Sequence, residues 1–149
     1  MKFTATREQL IQPVQAVIGV VERKQTMPVL ANVLLSVKGS RLSVTGTDLE
    51  VELVASGEVS VGQPGEITVP GRKLLEIAKA LPEKSTVTVS LDGERLKVSA
   101  GRSRFTLSTL AASEFPVVES VSAQQTLTLP QAELGRLIAK THFSMAQQD

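Results

Sequence analysis

Arginine and lysine recur at matching places along this chain. Arg7, Arg72 and Lys79, and Arg136 and Lys140, fall on three stretches whose apolar residues have helical spacing, with Arg72 in the first turn of the second. Cations on helices set side by side can meet nucleic-acid phosphates without reading bases, which gives weak, non-specific and strongly salt-dependent binding. Solvated helix faces account for the same residues equally well, and Glu8, Glu76 and Glu133 dilute the charge. A second cluster is denser: Arg102, Arg104, Phe105 and Leu107 share the stretch RSRFTL, with Arg95 on the preceding stretch and Lys73 at a helix start. Cations framing an apolar strand suit a self-assembly edge whose partner is of opposite charge. Phe105 and Leu107 also fit a core.

Catalytic machinery is thin by comparison. The single histidine, His142, ends the third helical stretch with no cysteine or serine motif around it, and the chain has no cysteine at all. That removes thiolate metal sites, thiol nucleophiles and disulfides, and it fits a reducing cytoplasm. Asp48, Glu50 and Glu52 alternate and so suggest a cation site, but carboxylates at this spacing more often mark the wet side of an edge strand. Neither GxxxxGK[ST] nor GxGxxG occurs, so no loop cradles a nucleotide's phosphates. The expectation is a non-catalytic protein with no metal and no cofactor. Lys and Arg number 16 against 15 Asp and Glu, a net charge of +1, so any attraction to nucleic acid must come from charge distribution. The start, MKFTATREQL, lacks the apolar stretch of a signal peptide, and no run is long enough to cross a bilayer, so the expected location is cytoplasmic.

The elements that position these residues come in repeats. FTATREQLIQPVQAV (residues 3–17), ITVPGRKLLEIAKAL (67–81) and LTLPQAELGRLIAKT (127–141) overlay so that Phe3, Ile67 and Leu127 align, as do Leu10, Leu74 and Leu134. A second block repeats once: VKGSRLSVTGTDLEVEL (37–53) overlays LDGERLKVSAGRSRFTL (91–107), with Gly39 on Gly93 and Leu53 on Leu107. Each copy opens on a short alternating strand (Lys2–Ala5, Glu66–Val69, Thr126–Leu129) followed at once by a helix, with Pro70 and Pro130 at the junction. Leu42–Val44, Leu49–Leu53, Leu96–Val98 and Phe105–Leu107 alternate as strands, and turns are expected at Lys38-Gly39-Ser40, Thr45-Gly46, Asp92-Gly93-Glu94 and Ala100-Gly101.

The product is a βαβββ unit made twice, an α+β fold with two helices packed on antiparallel sheet. The repeats span about 1–60 and 61–118, and the aperiodic AASEFPVVESVSAQQ reads as a linker, leaving 119–149 as the first strand and helix of a truncated second domain. The third unit stops after its helix, which points to a piece of a longer protein. The first copy carries extra length in GVVERKQTMPVLAN (19–32), a loop holding Arg23 and Lys24.

With these residues in view, the chain resembles the bacterial sliding clamp family, the beta subunit of DNA polymerase III. The likeness runs through MKFTATREQL, TMPVLANVLLSV, LSVTGTDLEVEL, TVPGRKLLEI, GRSRFTLSTL, EFP and FSMAQQD. It implies the DNA-clamp fold: three similar domains in each of two crescent-shaped subunits, closed into a ring around duplex DNA, with helices lining the hole. It implies a processivity factor that tethers the replicative polymerase during DNA replication and hydrolyses nothing. A protein-interaction scaffold of the same fold, without DNA contact, is the alternative.

By resemblance, Lys24 stands where the family has a DNA-touching arginine, with Arg23 beside it; the exchange keeps charge but loses the forked geometry. Gln148 matches another DNA-contacting position and Arg72 a basic helix residue facing the hole. Lys73, Arg95, Arg102, Arg104, Phe105 and Leu107 match the family's head-to-tail dimer edge. The pocket that receives polymerase and clamp-loader peptides belongs to the second and third domains, outside these residues.

Overall fold

The computed structural model describes residues 1–21, 27–116 and 124–145, and the chain divides into two compact units, Met1–Val118 and Glu119–Asp149.

In the first unit the alternating stretches become strands. They are β1 (Lys2–Thr6), β2 (Asn32–Lys38), β3 (Arg41–Thr47), β4 (Glu52–Glu58), β5 (Ser60–Gln63), β6 (Gly65–Pro70), β7 (Thr86–Asp92), β8 (Arg95–Ala100) and β9 (Ser103–Ser108). Helix α1 (Arg7–Val17) follows β1, and α2 (Gly71–Ala80) follows β6. Thr6 starts α1 with a capping box: its hydroxyl accepts from the Gln9 amide at 3.1 Å, and Gln9 Oε1 accepts from the Thr6 amide at 2.8 Å. The β–α junction of the second copy is made by Pro70, which spends no amide there.

All strand pairing is antiparallel, in one sheet ordered β5-β1-β7-β8-β9 and another ordered β4-β3-β2-β6. Each half therefore lends its first strand to the other half's sheet. β1 pairs with β7 of the second repeat, and β6 pairs with β2 of the first. The two helices pack on each other, and α1 also lies on β4 and β3. One core spans both repeats: Leu10, Val14 and Val17 of α1 and Leu74 and Ala78 of α2 join Phe3, Leu35, Val44, Val89 and Val98. Phe115, Val29 and Leu30 form a smaller cluster. A buried amide ties the end of the unit down: Asn32 Nδ2 donates to Thr68 Oγ1 at 2.9 Å, and that hydroxyl donates to the Leu110 carbonyl at 3.0 Å. Leu110 also exchanges both backbone bonds with Thr68, which covers the outer edge of β6.

Three expectations are corrected. Thr45-Gly46 is not a turn but part of β3, and the chain reverses at 48–51 instead. Gly46 is small for another reason: a Cβ there would lie 3.0 Å from the Val17 carbonyl oxygen, so glycine lets the strand approach the end of α1. Leu49–Val51 is accordingly no strand; Leu49 has φ +81° and Asp48 Oδ1 accepts from the amides of Glu50 (3.0 Å) and Val51 (2.7 Å). Asp48, Glu50 and Glu52 thus do not share a strand face.

The expected hairpin turns do form, at Gly39, Gly93 and Gly101, each with φ near +60°.

The second unit holds α3 (Gln131–Thr141), with Pro130 before its first turn, and a 3₁₀ turn, His142–Ser144. Thr126–Leu129 forms no strand. Alternation makes a strand only when a neighbour supplies ladder partners, and this unit has no second extended partner among the described residues. The apolar residues of α3, Leu134, Leu137 and Ile138, are exposed.

Candidate nucleic-acid and subunit interfaces

The basic helix residues do not all stand free. Arg72, in the first turn of α2, is half-buried: its Nη2 donates to the Val21 carbonyl at 2.6 Å, and its Nε is shut away from solvent without a partner among the described residues. Its charge is thus fixed in place between α2 and the end of the segment that follows α1. Lys73, Glu76 and Lys79 are exposed on the same helix, with Lys73 Nζ 3.1 Å from Glu76 Oε2. Together with Arg72 they rim an open groove of about 750 Å³ floored by Ile18, Pro70 and Leu75. Three cations against one carboxylate make the rim of this open groove positive. Such a surface suits phosphate attraction without sequence readout.

Arg7 has a different task. Its Nε donates to the Ala78 carbonyl (3.2 Å) and its Nη2 to the Lys79 carbonyl (3.0 Å), so it satisfies the last turn of α2 from the first turn of α1. The positive guanidinium also complements the negative end of the α2 dipole. On α3, Arg136 grips Glu133 Oε2 through Nε (3.2 Å) and Nη2 (2.8 Å), while Lys140 sits in the last turn. Arg23, Lys24 and Gln148 lie outside the described residues.

The second cluster lies on a sheet edge. β9 is the last strand of its sheet, Arg104 is exposed on it, and Arg102 is exposed in the β8–β9 turn. Arg95 opens β8 opposite Ser108. Lys73 is on α2, not on this sheet. Leu107 is 6% exposed and belongs to the core, whereas Phe105 is only half-buried and packs against that core from the edge.

Lys97 joins Arg95 and Arg104 on the outer face, opposite Thr106, and sequence reasoning passed over it. The alternation Leu96-Lys97-Val98 already put it there. Its ammonium pairs with Asp92 on β7, and this hydrogen bond holds the Asp92 carboxyl below the usual carboxylate range. Asp48 is lowered too, chiefly by the Val51 amide and then by that of Glu50. Among the described residues, no group of three His, Cys, Asp or Glu side chains is placed to hold a metal, and no helix is long and apolar enough to cross a membrane.

This α+β fold of two antiparallel sheets and packed helices is shared with sliding clamps of known structure. The sliding clamp (DNA polymerase III subunit beta) from Pseudomonas aeruginosa superposes with a TM-score of 0.95 at 54% identity, over 100% of this chain and 41% of that one. DNA polymerase III beta from Caulobacter crescentus gives 0.95 at 41% identity, with the same coverage.

The chain belongs to the DNA polymerase III beta subunit family, whose N-terminal domain matches residues 1–119. Among curated relatives, the beta sliding clamp of Pseudomonas putida is 56% identical and that of Escherichia coli K12 49%, each over all of this chain. The chain spans 41% of the length of these relatives.

Proposed function

We propose that these residues form the first domain, and the opening helix of the second, of a ring-shaped DNA sliding clamp. The ring encircles duplex DNA and tethers the replicative polymerase; it is a non-catalytic processivity subunit acting in the cytoplasm. The observation that carries this reading is the likeness to sliding clamps along the whole chain, at 54% identity and a TM-score of 0.95. The physical picture is coherent with a net charge of only +1: a ring retains DNA by topology, so tight phosphate contacts would only hinder sliding.

In this reading Lys79 and Arg72 present charge to the duplex from α2, Arg7 chiefly braces the two helices, and Arg136 and Lys140 present charge from α3. Arg23, Lys24 and Gln148 add DNA contacts by their correspondence to family positions. Arg95, Arg102, Arg104 and Phe105, with Lys73 from the start of α2, make the edge that meets the other subunit head to tail, and Leu107 holds β9 to the core. Polymerase and clamp loader dock elsewhere in the longer protein.

The scaffold reading, without DNA contact, has one observation behind it: Arg7, Arg72 and Arg136 already spend guanidinium hydrogens on protein acceptors. Lys79→Glu with Lys140→Glu, in a protein of the relatives' full length, separates the two. Loss of salt-sensitive affinity for open linear duplex supports the clamp, and unchanged affinity supports the scaffold.

A further inference from the structure

We propose that Asp92-Gly93, in the β7–β8 turn, is a modification site at which Asp92 converts to isoaspartate, and that Lys97 restrains the conversion. The inference does not depend on the ring reading.

Such a conversion needs an aspartyl carboxyl, an unhindered amide nitrogen on the next residue, and a backbone able to bring the two together. Of the three aspartates in the chain, only Asp92 precedes a glycine. Glycine has no Cβ to shield its nitrogen, and it lets the turn change conformation at little cost. Asp92 and Gly93 are both exposed, and the Gly93 amide has no acceptor among the described residues. Asp48 is different: Leu49 follows it, and its Oδ1 accepts from the Glu50 and Val51 amides at 3.0 and 2.7 Å. Asp149 lies outside the described residues.

The step balances without an oxidant or a cofactor. The Gly93 nitrogen bonds to the Asp92 Cγ, the Cγ–OH bond breaks, and the hydroxyl leaves with the amide proton as water. The resulting succinimide then takes up one water. Opening at Cγ restores aspartate. Opening at the original main-chain carbonyl leaves the backbone running through Cβ and Cγ, which is isoaspartate.

The hairpin holds this reaction back in two ways. Asp92 ends β7 across from Arg95, and ring closure requires its backbone to leave the extended conformation. Lys97, which faces Ser90 in register, pairs its ammonium diagonally with Asp92 Oδ2 and so ties β7 to β8 beside the turn. The same contact keeps the carboxyl ionised, chiefly through its hydrogen bond, and a carboxylate has no hydroxyl to lose as water. The far side of the turn is anchored separately: the Glu94 carbonyl accepts from the Thr109 amide at 3.2 Å and from its hydroxyl at 2.8 Å. Gly93 is left as the free member. Conversion would add one carbon to the backbone and move the carboxylate away from Lys97, which loosens this hairpin.

The test ages the 149-residue chain at neutral pH, below its unfolding temperature, beside the same chain in urea. Isoaspartate is counted by methyl transfer from S-adenosylmethionine with an isoaspartyl methyltransferase. Peptide mapping with a protease that cuts before aspartate but not isoaspartate locates it. The native chain should accumulate isoaspartate at Asp92, more slowly than in urea, and not at Asp48. Lys97→Gln should speed the conversion severalfold, whereas Lys97→Arg should stay near wild type. Asp92→Glu keeps the charge but would need a larger ring, so it should abolish the signal. Both side chains are exposed, so circular dichroism of each variant should match wild type. No isoaspartate at Asp92 in the native chain, formation chiefly at another residue, or equal rates in Lys97→Gln and Lys97→Arg would each overturn the proposal.

Discussion

A methyl group on Gly46 would sit 3.0 Å from a backbone oxygen and 3.3 Å from the side chains of Val20 and Val21. The carbonyl cannot move aside cheaply, so Gly46→Ala should destabilise the unit by about 1–3 kcal/mol in urea unfolding. An unchanged midpoint would mean the strand can shift outward. Asp48 is the other residue whose role only the structure discloses. Donation from the Val51 and Glu50 amides lowers its folded pKa, so its stabilising effect is full above the ordinary carboxylate range and disappears as pH falls through the folded value. The stability gap between wild type and Asp48→Ala should therefore be constant near neutral pH and shrink in acid; a gap independent of pH would contradict this. Neither role was legible beforehand. The glycine looked like turn chemistry, and Leu49 and Val51 continued the strand-like alternation straight through the real turn. By contrast, the turn glycines at 39, 93 and 101 were readable, because short polar Gly-containing turns between alternating segments have few other conformations.

At the scale of elements, the exchange of first strands is the feature with most consequence. β1 completes the second repeat's sheet and β6 the first's, so neither half can close its own sheet. Residues 1–63 and 64–118, made separately, should each lack cooperative unfolding, and mixing them should restore a native-like amide spectrum. A folded half on its own would refute the exchange as a source of stability. The repeat itself was plain in the sequence, but alternation fixes which face a strand buries and not which strand it joins. For the same reason Thr126–Leu129 read as a strand that the structure does not form. The edge cluster was partly legible: its charges were visible, but the depth of Leu107 was not. Leu107→Ala should cost the unit about 2–4 kcal/mol, as a core cavity does. Phe105→Ala should cost less in stability and act mainly on subunit affinity in the longer protein. Equal loss of stability at both positions would return Phe105 to the core.

Over the whole molecule, a net charge of only +1, with six of the sixteen Lys and Arg but three of the fifteen Asp and Glu on α1, α2 and α3, is the pattern expected if the proposed ring retains DNA by enclosure and not by grip. The chain spans 41% of its relatives' length, so the enclosing ring must be tested in a complete protein. The most direct test exchanges these 149 residues for the matching part of the Pseudomonas putida beta sliding clamp, to which they are 56% identical. The chimaera is loaded on nicked circular DNA by the cognate loader, and bound protein is followed before and after the circle is cut. Stable retention on circles with rapid loss on linear DNA is the predicted result. Equal retention on both forms would mean a direct hold on the duplex and would contradict the clamp account.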